Sequence, residues 1–327
     1  MKQKIKIKFV DFWTDMNKAE GNYFYELLSR KFDIELSDDP EILFYANYSN
    51  EYLNYDCVRV FFSGENHRPD FTACDYAITF DYSSNPRHLR FPLWALYYLA
   101  YIKWLNVDKL DLPVAGDVLR QRWAAKSKFC CFIVSNPACE KRNRFFKDLN
   151  EKRRVDSAGK YMNNIGYFLE GGSTEKLKFI NDYKFVISFE NSAHPGYTTE
   201  KILEPLLAGA IPIYWGDPKV GDDFNTARFI NCQDFESTED VIKKVLEIAD
   251  NDELAIGMLK QNCFTNLRGT IEDLENSLLQ FLEKVVAEKD RIKPRGGSPL
   301  FSAIHKGKTL WRGYKQKIEG KLARHSN

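Results

Sequence analysis

Apolar and polar positions change period several times along this chain, and each change marks an element. Near the amino terminus, KIKFVDFW alternates Lys with apolar residues, the period of a strand with one buried face. EILFYA, VRVFFSG and DYAITF follow as short apolar runs bounded by turn residues, and GNYFYELLSRKF between them has the spacing of an amphipathic helix. The run at residues 91–102, FPLWALYYLAYI, is apolar on every side but shorter than the roughly 20 residues a bilayer requires, so it predicts a core helix. From Trp104 to Lys128 periodicity is lost around Pro113 and Gly116, which predicts a domain crossing.

A second series then begins. CCFIVSN reads as a strand, CEKRNRFFKDLNE as a helix, YKFVISFEN as a strand, TTEKILEPLLA as a helix and AIPIYWG as a strand. Parallel strands need a crossover between them, and helices in this rhythm supply it, so the fold class is α/β with parallel sheets. After Thr238 the pattern is helical to about residue 290. The expected organisation is a first domain over residues 1–115, a second over 116–290, and a basic tail over 291–327.

Composition narrows the picture. A chain of 327 residues exceeds the size at which one core usually stops growing, so two domains are expected. The 44% apolar and 28% charged fractions are those of a globular protein, and a net charge of +1 gives no overall field favouring nucleic acid. The seven cysteines are odd in number and lack a Cys-x-x-Cys pair, which suits a reducing compartment. The amino terminus has no continuous apolar stretch of the signal-peptide kind, so a cytoplasmic location is expected.

Candidate chemistry concentrates in residues 185–216, FVISFENSAHPGYTTEKILEPLLAGAIPIYWG. A strand leads through a Gly-containing turn into a helix capped by Thr198 or Thr199 and opened by Glu200 and Lys201. Free N–H groups and the positive end of a helix dipole make such a start an anion site, and Lys201 would add a full positive charge. Gly209 fits the carboxyl cap, and Pro205 should bend or shorten the helix. The plain alternative for Glu200 and Lys201 is solvated surface.

Two other positions stand out. Glu65 follows VRVFFSG, with Gly64 allowing a tight turn, so its carboxylate is expected at a strand's carboxyl end, where a general base could act; an ion pair with Arg68 is the alternative. Arg142 falls in a helix beginning near Cys139, close behind a strand end, where a guanidinium can grip a diphosphate, and Arg144 competes for that role.

FENS, GYTTEKI and IPIYWGDP together resemble the donor-binding motif of the α-1,3-fucosyltransferases, particularly the bacterial α-1,3/4 enzymes. FSGEN at residues 62–66, with DYAITFD and RFPL after it, resembles the acceptor-domain signature of that family. SNPACEKRNRF at residues 135–145 and RVDSAGKYMNNIG are similar to its next segments, so the resemblance spans about residues 5–235. It implies a GT-B fold, two Rossmann-like domains facing across a cleft, and inverting transfer of fucose from GDP-fucose to an oligosaccharide, the GlcNAc of a Gal-GlcNAc unit, in a Lewis-type α-1,3 or α-1,4 linkage. Protein glycosylation and lipopolysaccharide O-antigen synthesis are the associated settings. The resemblance further implies Glu65 as the base and Arg142 with Asn143 as the phosphate contact. It also implies Glu200 on the donor, at either the ribose or the fucose ring, with Asn191 and Tyr197 flanking the pocket and Lys201 on the phosphates. Competing readings are a GT-B transferase using another nucleotide sugar and a non-catalytic sugar-binding protein.

No cofactor and no metal is expected. The five His residues show no ligand spacing, and the Asp-x-Asp at Asp250–Asp252 lies between two helical runs, where it reads as a turn. In the tail, Leu310, Trp311, Tyr314, Ile318 and Leu322 recur near helical spacing among lysines. A peripheral anchor on the inner face of the membrane, a loose nucleic-acid arm and a solvated end all remain open for it, while no nucleic-acid partner is expected for the protein as a whole.

Overall fold

The computed structural model describes residues 2–294 apart from 14–15, 111–113, 171 and 266–270, together with residue 307. The tail residues singled out above lie outside the described residues. Two compact units emerge, the first comprising residues up to Thr79, Ser83–Phe91 and the chain from Glu275 on, the second Phe80–Tyr82 and Pro92–Leu274.

In the first unit, the strands are β1 (Lys4–Val10), β2 (Asp33–Leu36), β3 (Ile42–Tyr45), β4 (Val58–Phe62), β5 (Tyr76–Thr79) and β6 (His88–Arg90). They form one parallel sheet in the order β2-β1-β3-β4-β5-β6. Sequence alternation explains β1, whose Ile5, Ile7 and Phe9 are buried while Lys4, Lys6 and Lys8 are less so. Helix α1 (Tyr23–Lys31) starts where Asn22 accepts hydrogen bonds from the Phe24 and Tyr25 N–H groups, and it buries Phe24, Leu27 and Leu28. Phe24 stacks on Phe44 of β3 and meets Phe62 of β4 edge-on, which fixes α1 against the sheet.

The second unit holds β7 (Lys128–Phe132), β8 (Val155–Ser157), β9 (Tyr183–Phe189), β10 (Ile211–Trp215) and β11 (Ile230–Asn231), again all parallel, in the order β11-β10-β9-β7-β8. Its helices are α2 (Leu93–Leu105), α3 (Gly116–Ala125), α4 (Glu140–Lys152), α5 (Ser173–Ile180), α6 (Glu200–Leu207), α7 (Thr238–Ala249) and α8 (Asp252–Leu259). Helix α9 (Ile271–Glu288) follows, with the part from Glu275 on counted in the first unit. Phe132, Phe145, Leu149, Phe185, Ile213 and Val245 lie in one buried cluster of the second unit.

The expected crossing near residue 115 is corrected. Helix α2 belongs with the second unit because its partners lie there: Trp94 packs on Phe224 and Phe264 at 4.9 and 5.5 Å, the Tyr101 hydroxyl donates to Glu204 of α6 at 3.0 Å, and the Trp94 indole N–H donates to Asp223 at 3.1 Å. The carboxyl part of α9 returns to the first unit, where Glu275 pairs with Arg30 at 3.0 Å and Phe281 packs edge-on against Tyr76. Inside the segment read as aperiodic, α3 forms on two anchors one turn apart, buried Leu119 and Trp123.

Candidate functional site

The second sheet reverses direction between β7 and β9. From β7 the chain steps outward to β8, then crosses back so that β9 lies on the other side of β7, followed by β10 and β11. Helices α4 and α6 follow these two strands. A crevice outside the carboxyl ends of the strands at such a reversal is where open parallel sheets bind nucleotides.

Helix α4 brings Arg142 and Asn143 into its first turn, both buried. The Arg142 guanidinium donates to Asn191 Oδ1 at 2.8 Å and to the Asn136 carbonyl at 2.6 Å, while its buried Nε has no partner. Burial holds its pKa below the ordinary guanidinium value, although Glu190 nearby opposes the fall. Asn143 donates to the Pro137 carbonyl at 2.7 Å and keeps its buried Oδ1 unpartnered. Buried polar atoms without partners are costly and rare, so an orphan donor and an orphan acceptor on adjacent residues mark a place suited to a polar ligand. Arg144, the competitor, is 82% exposed, with Asp148 its ion-pair partner at 4.0 Å.

At α6, Thr199 is the amino-terminal cap, and Gly209 stands just past the helix end at φ +63°. Both expectations hold. The helix is short, with Pro205 inside its last turn. The start of α6 already carries a carboxylate on its cap residue, however, that of Glu190. This carboxylate, fully buried at the end of β9, accepts the Thr199 N–H and the Thr199 hydroxyl, each at 2.7 Å. Nor does Lys201 add a free charge: its ammonium lies 3.3 Å from Glu190, 3.5 Å from Glu200 and 3.0 Å from the Thr199 hydroxyl.

The three charges tune one another. Burial pushes the Glu190 carboxyl up, and Lys201 pulls it only part of the way back. Burial acts the same way on Glu200, but Lys201 and Lys176 outweigh it and hold that carboxyl below its usual value. Lys201 itself, despite burial, is kept well above the ordinary ammonium value by Glu200 and Glu190. Tyr197, 1% exposed, packs its ring 5.1 Å from Phe80, and Asp217, completely buried, accepts the Gly196 N–H at 2.8 Å and the Thr198 hydroxyl at 2.9 Å. The turn carrying Tyr197 is therefore held by a carboxylate with no cationic partner among the described residues.

The structure thus gathers Arg142, Asn143, Asn191, Tyr197, Glu200 and Lys201 in the second unit, and places Glu65 on the first, just past the carboxyl end of β4. Ser63 ties that turn, donating to the Glu65 carbonyl at 2.9 Å and to Asn47 Oδ1 at 3.1 Å, and the Tyr48 hydroxyl donates to the Glu65 carboxylate at 3.4 Å. Arg68 donates to the Asn66 side chain. Sequence reasoning missed Glu190 and Asp217; an acidic residue directly after the largely apolar strand β9 was the available signal for the first. Asp250 pairs with Arg153 at 3.0 Å, and Asp252 accepts the Trp123 indole N–H at 2.7 Å, so both are used structurally. Among the described residues no group of three His, Cys, Asp or Glu side chains is placed to hold a metal ion.

Family profiles match both units. Residues 7–97 match the alpha-(1,3)-fucosyltransferase FucT N-terminal domain, and residues 123–257 match the glycosyltransferase family 10 (fucosyltransferase) C-terminal domain. The chain belongs to the family 10 fucosyltransferases. Among curated family members, alpha-(1,3)-fucosyltransferase FucT of Helicobacter pylori is 29% identical over 88% of this chain and 67% of its own length. Alpha-(1,3)-fucosyltransferase B of Drosophila melanogaster is 38% identical over 33% of this chain and 22% of its own, so the chain spans only part of each relative. A crystal structure of an α1,3-fucosyltransferase with GDP-fucose aligns over 90% of this chain and 93% of that one, with a TM-score of 0.72 and 28% identity. The two parallel α/β units are accordingly the Rossmann-like domains of a GT-B glycosyltransferase.

Proposed function

We propose that this family 10 enzyme transfers L-fucose from GDP-β-L-fucose, with inversion, to the GlcNAc of a Gal-GlcNAc acceptor in an α-1,3 or α-1,4 linkage. The observation that carries the reading is the buried Arg142, half-satisfied beside Asn191 at the reversal of a parallel sheet, in a chain similar to a transferase crystallised with GDP-fucose. In this reading Glu65 takes the proton from an acceptor hydroxyl, whose oxygen attacks C1 of fucose as the bond to GDP breaks on the opposite face. Arg142 and Lys201 offset the negative charge that grows on the departing diphosphate, which lowers the barrier where that charge develops. Glu200 contacts the donor at its ribose or its fucose ring.

The proposal includes independence from metal, supported by the structural engagement of Asp250 and Asp252. It also includes a reducing, cytoplasmic setting, supported by seven free cysteines, six of them buried. No helix among the described residues is long and apolar enough to cross a membrane. A lipopolysaccharide O-antigen acceptor and peripheral contact of the basic tail with the inner membrane face are the finer parts of the reading.

Purified protein should release GDP from GDP-fucose, faster with N-acetyllactosamine or its β-1,3-linked isomer, equally well in EDTA, and not from GDP-mannose or UDP-sugars. Glu65→Gln should lower turnover by roughly a hundred- to ten-thousandfold, the usual worth of a general base, with GDP binding retained. Near-normal turnover in that variant would remove Glu65 from the mechanism, and wild-type protein that no acceptor stimulates would overturn the function.

A further inference from the structure

Beside Glu65 the first unit presents one exposed aromatic ring to which the proposed transfer step assigns no role. Tyr48, 50% exposed, meets the Trp13 ring edge-on at 5.9 Å, and Trp13 packs in turn on Phe12 and Phe62 at 6.0 and 6.2 Å. The Tyr48 hydroxyl is the group that reaches the Glu65 carboxylate. The ring is held deliberately in place. Asp11, buried just past β1, accepts the Tyr48 N–H with its carbonyl at 3.1 Å, and its carboxylate accepts the Glu51 and Tyr52 N–H groups, each at 2.9 Å, and the Ser49 hydroxyl. Asp11 does this from φ +63°, a left-handed conformation uncommon for residues other than glycine. The segment that presents Tyr48 is thus tied down at four points by one residue in an unfavourable backbone state.

A pyranose has faces of C–H bonds and a rim of hydroxyl groups. An exposed ring backed by a second ring, with a carboxylate at its edge, offers stacking to the face and a proton acceptor to the rim. We infer that Tyr48, backed by Trp13, is the platform on which the acceptor sugar stacks so that one hydroxyl meets Glu65. The inference rests on the proposed function, since it assigns the acceptor of that reaction. Tyr48 is a positioning residue, acting on where the sugar lies and not on the donor.

The test is initial-rate GDP release for wild type, Tyr48→Phe and Tyr48→Ala, with N-acetyllactosamine varied at saturating GDP-fucose and then GDP-fucose varied at fixed acceptor. Loss of the ring should raise the acceptor KM roughly three- to tenfold, the worth of one aromatic contact. The KM for GDP-fucose should not move, a pattern that general unfolding would not give. Tyr48→Phe, which keeps the ring, should hold the acceptor KM within about twofold of wild type. An unchanged acceptor KM in Tyr48→Ala, or an equal loss in Tyr48→Phe, overturns the platform while leaving the transferase reading intact. Wild-type protein that acceptor does not stimulate overturns both.

Discussion

Asp217 provides the sharpest test of how the donor-side turn is held. Its Oδ1 accepts the Gly196 N–H at 2.8 Å and the Lys219 N–H at 2.7 Å, and its Oδ2 accepts the Thr198 hydroxyl at 2.9 Å. Gly196 and Thr198 are buried and Lys219 is exposed, so Asp217→Ala would leave two donors dry and one able to find water. At about 1–3 kcal/mol per orphaned buried donor, the loss should be about 3 kcal/mol, or a melting midpoint lower by roughly 6 to 12 °C. Asp217→Asn keeps an acceptor for both N–H groups, and its new NH2 faces a Thr198 hydroxyl that can turn to accept; the cost should stay within about 1 kcal/mol. Acidity separates the two variants further. Burial raises the folded carboxyl pKa of Asp217, so the wild-type side chain contributes its full stability below the unfolded carboxylate value of about 4 and loses part of it as pH rises through the higher folded value. The amide mimics the protonated acid, so Asp217→Asn should gain on wild type as pH rises above about 4. Urea melts of the three proteins from acid to neutral pH measure this. If Asp217→Ala lies within about 1 kcal/mol of wild type, or if the Asn variant falls as far as the Ala variant, the claim that this carboxylate holds the turn is wrong.

Arg142→Lys keeps the charge but not the fork that reaches Asn191 and the Asn136 carbonyl, so calorimetric GDP affinity should fall about ten- to hundredfold, and the lost internal hydrogen bonds should lower the melting midpoint by a few degrees as well. Gly196→Ala should cost several times more stability than Gly209→Ala. Both sites have positive φ, but a Cβ at Gly196 would lie 2.4 Å from the Phe80 carbonyl oxygen, whereas at Gly209 it meets nothing within 4 Å. Gly209→Ala should therefore cost only about 1–2 kcal/mol, and paired thermal melts decide between them.

The longer strands were legible because a buried parallel strand is mostly apolar, with only Ser188 interrupting FVISF of β9 and only Arg59 interrupting VRVFF of β4. Strands β2, β6, β8 and β11 were not separately legible: each has two to four residues, too few to establish a period, and each owes its place to the neighbour it pairs with. The domain crossing failed for a related reason. The local composition change near Pro113 is real, but membership of α2 is decided by Glu204 and Asp223, more than a hundred residues away in sequence. Of the candidate residues, Arg142, Glu200 and Lys201 could be singled out because each stands near a helix start that follows a strand. Glu190 and Asp217 could not, since their importance lies in the donors they satisfy.

Glu190, together with Glu200, sets the charge balance around Lys201. Arg142 and Lys201 bring two positive charges, and Glu190 and Glu200 bring two negative ones, so these four groups sum to zero before any nucleotide arrives. A pocket built only to attract a diphosphate would not bury an acid at the helix start. A reason to do so follows from the chemistry: catalysis gains only from contacts stronger in the transition state than in the ground state. In the proposed reaction Lys201, shared between two carboxylates with no exclusive pair to either, would be drawn toward a phosphate oxygen as charge accumulates there. Arg142, with one buried N–H unspent and its pKa depressed by burial, gains most when a full negative charge meets it. Under the proposed function, neutral balance in the free protein would trade tight holding of the intact donor for a response that grows as the bond to GDP breaks.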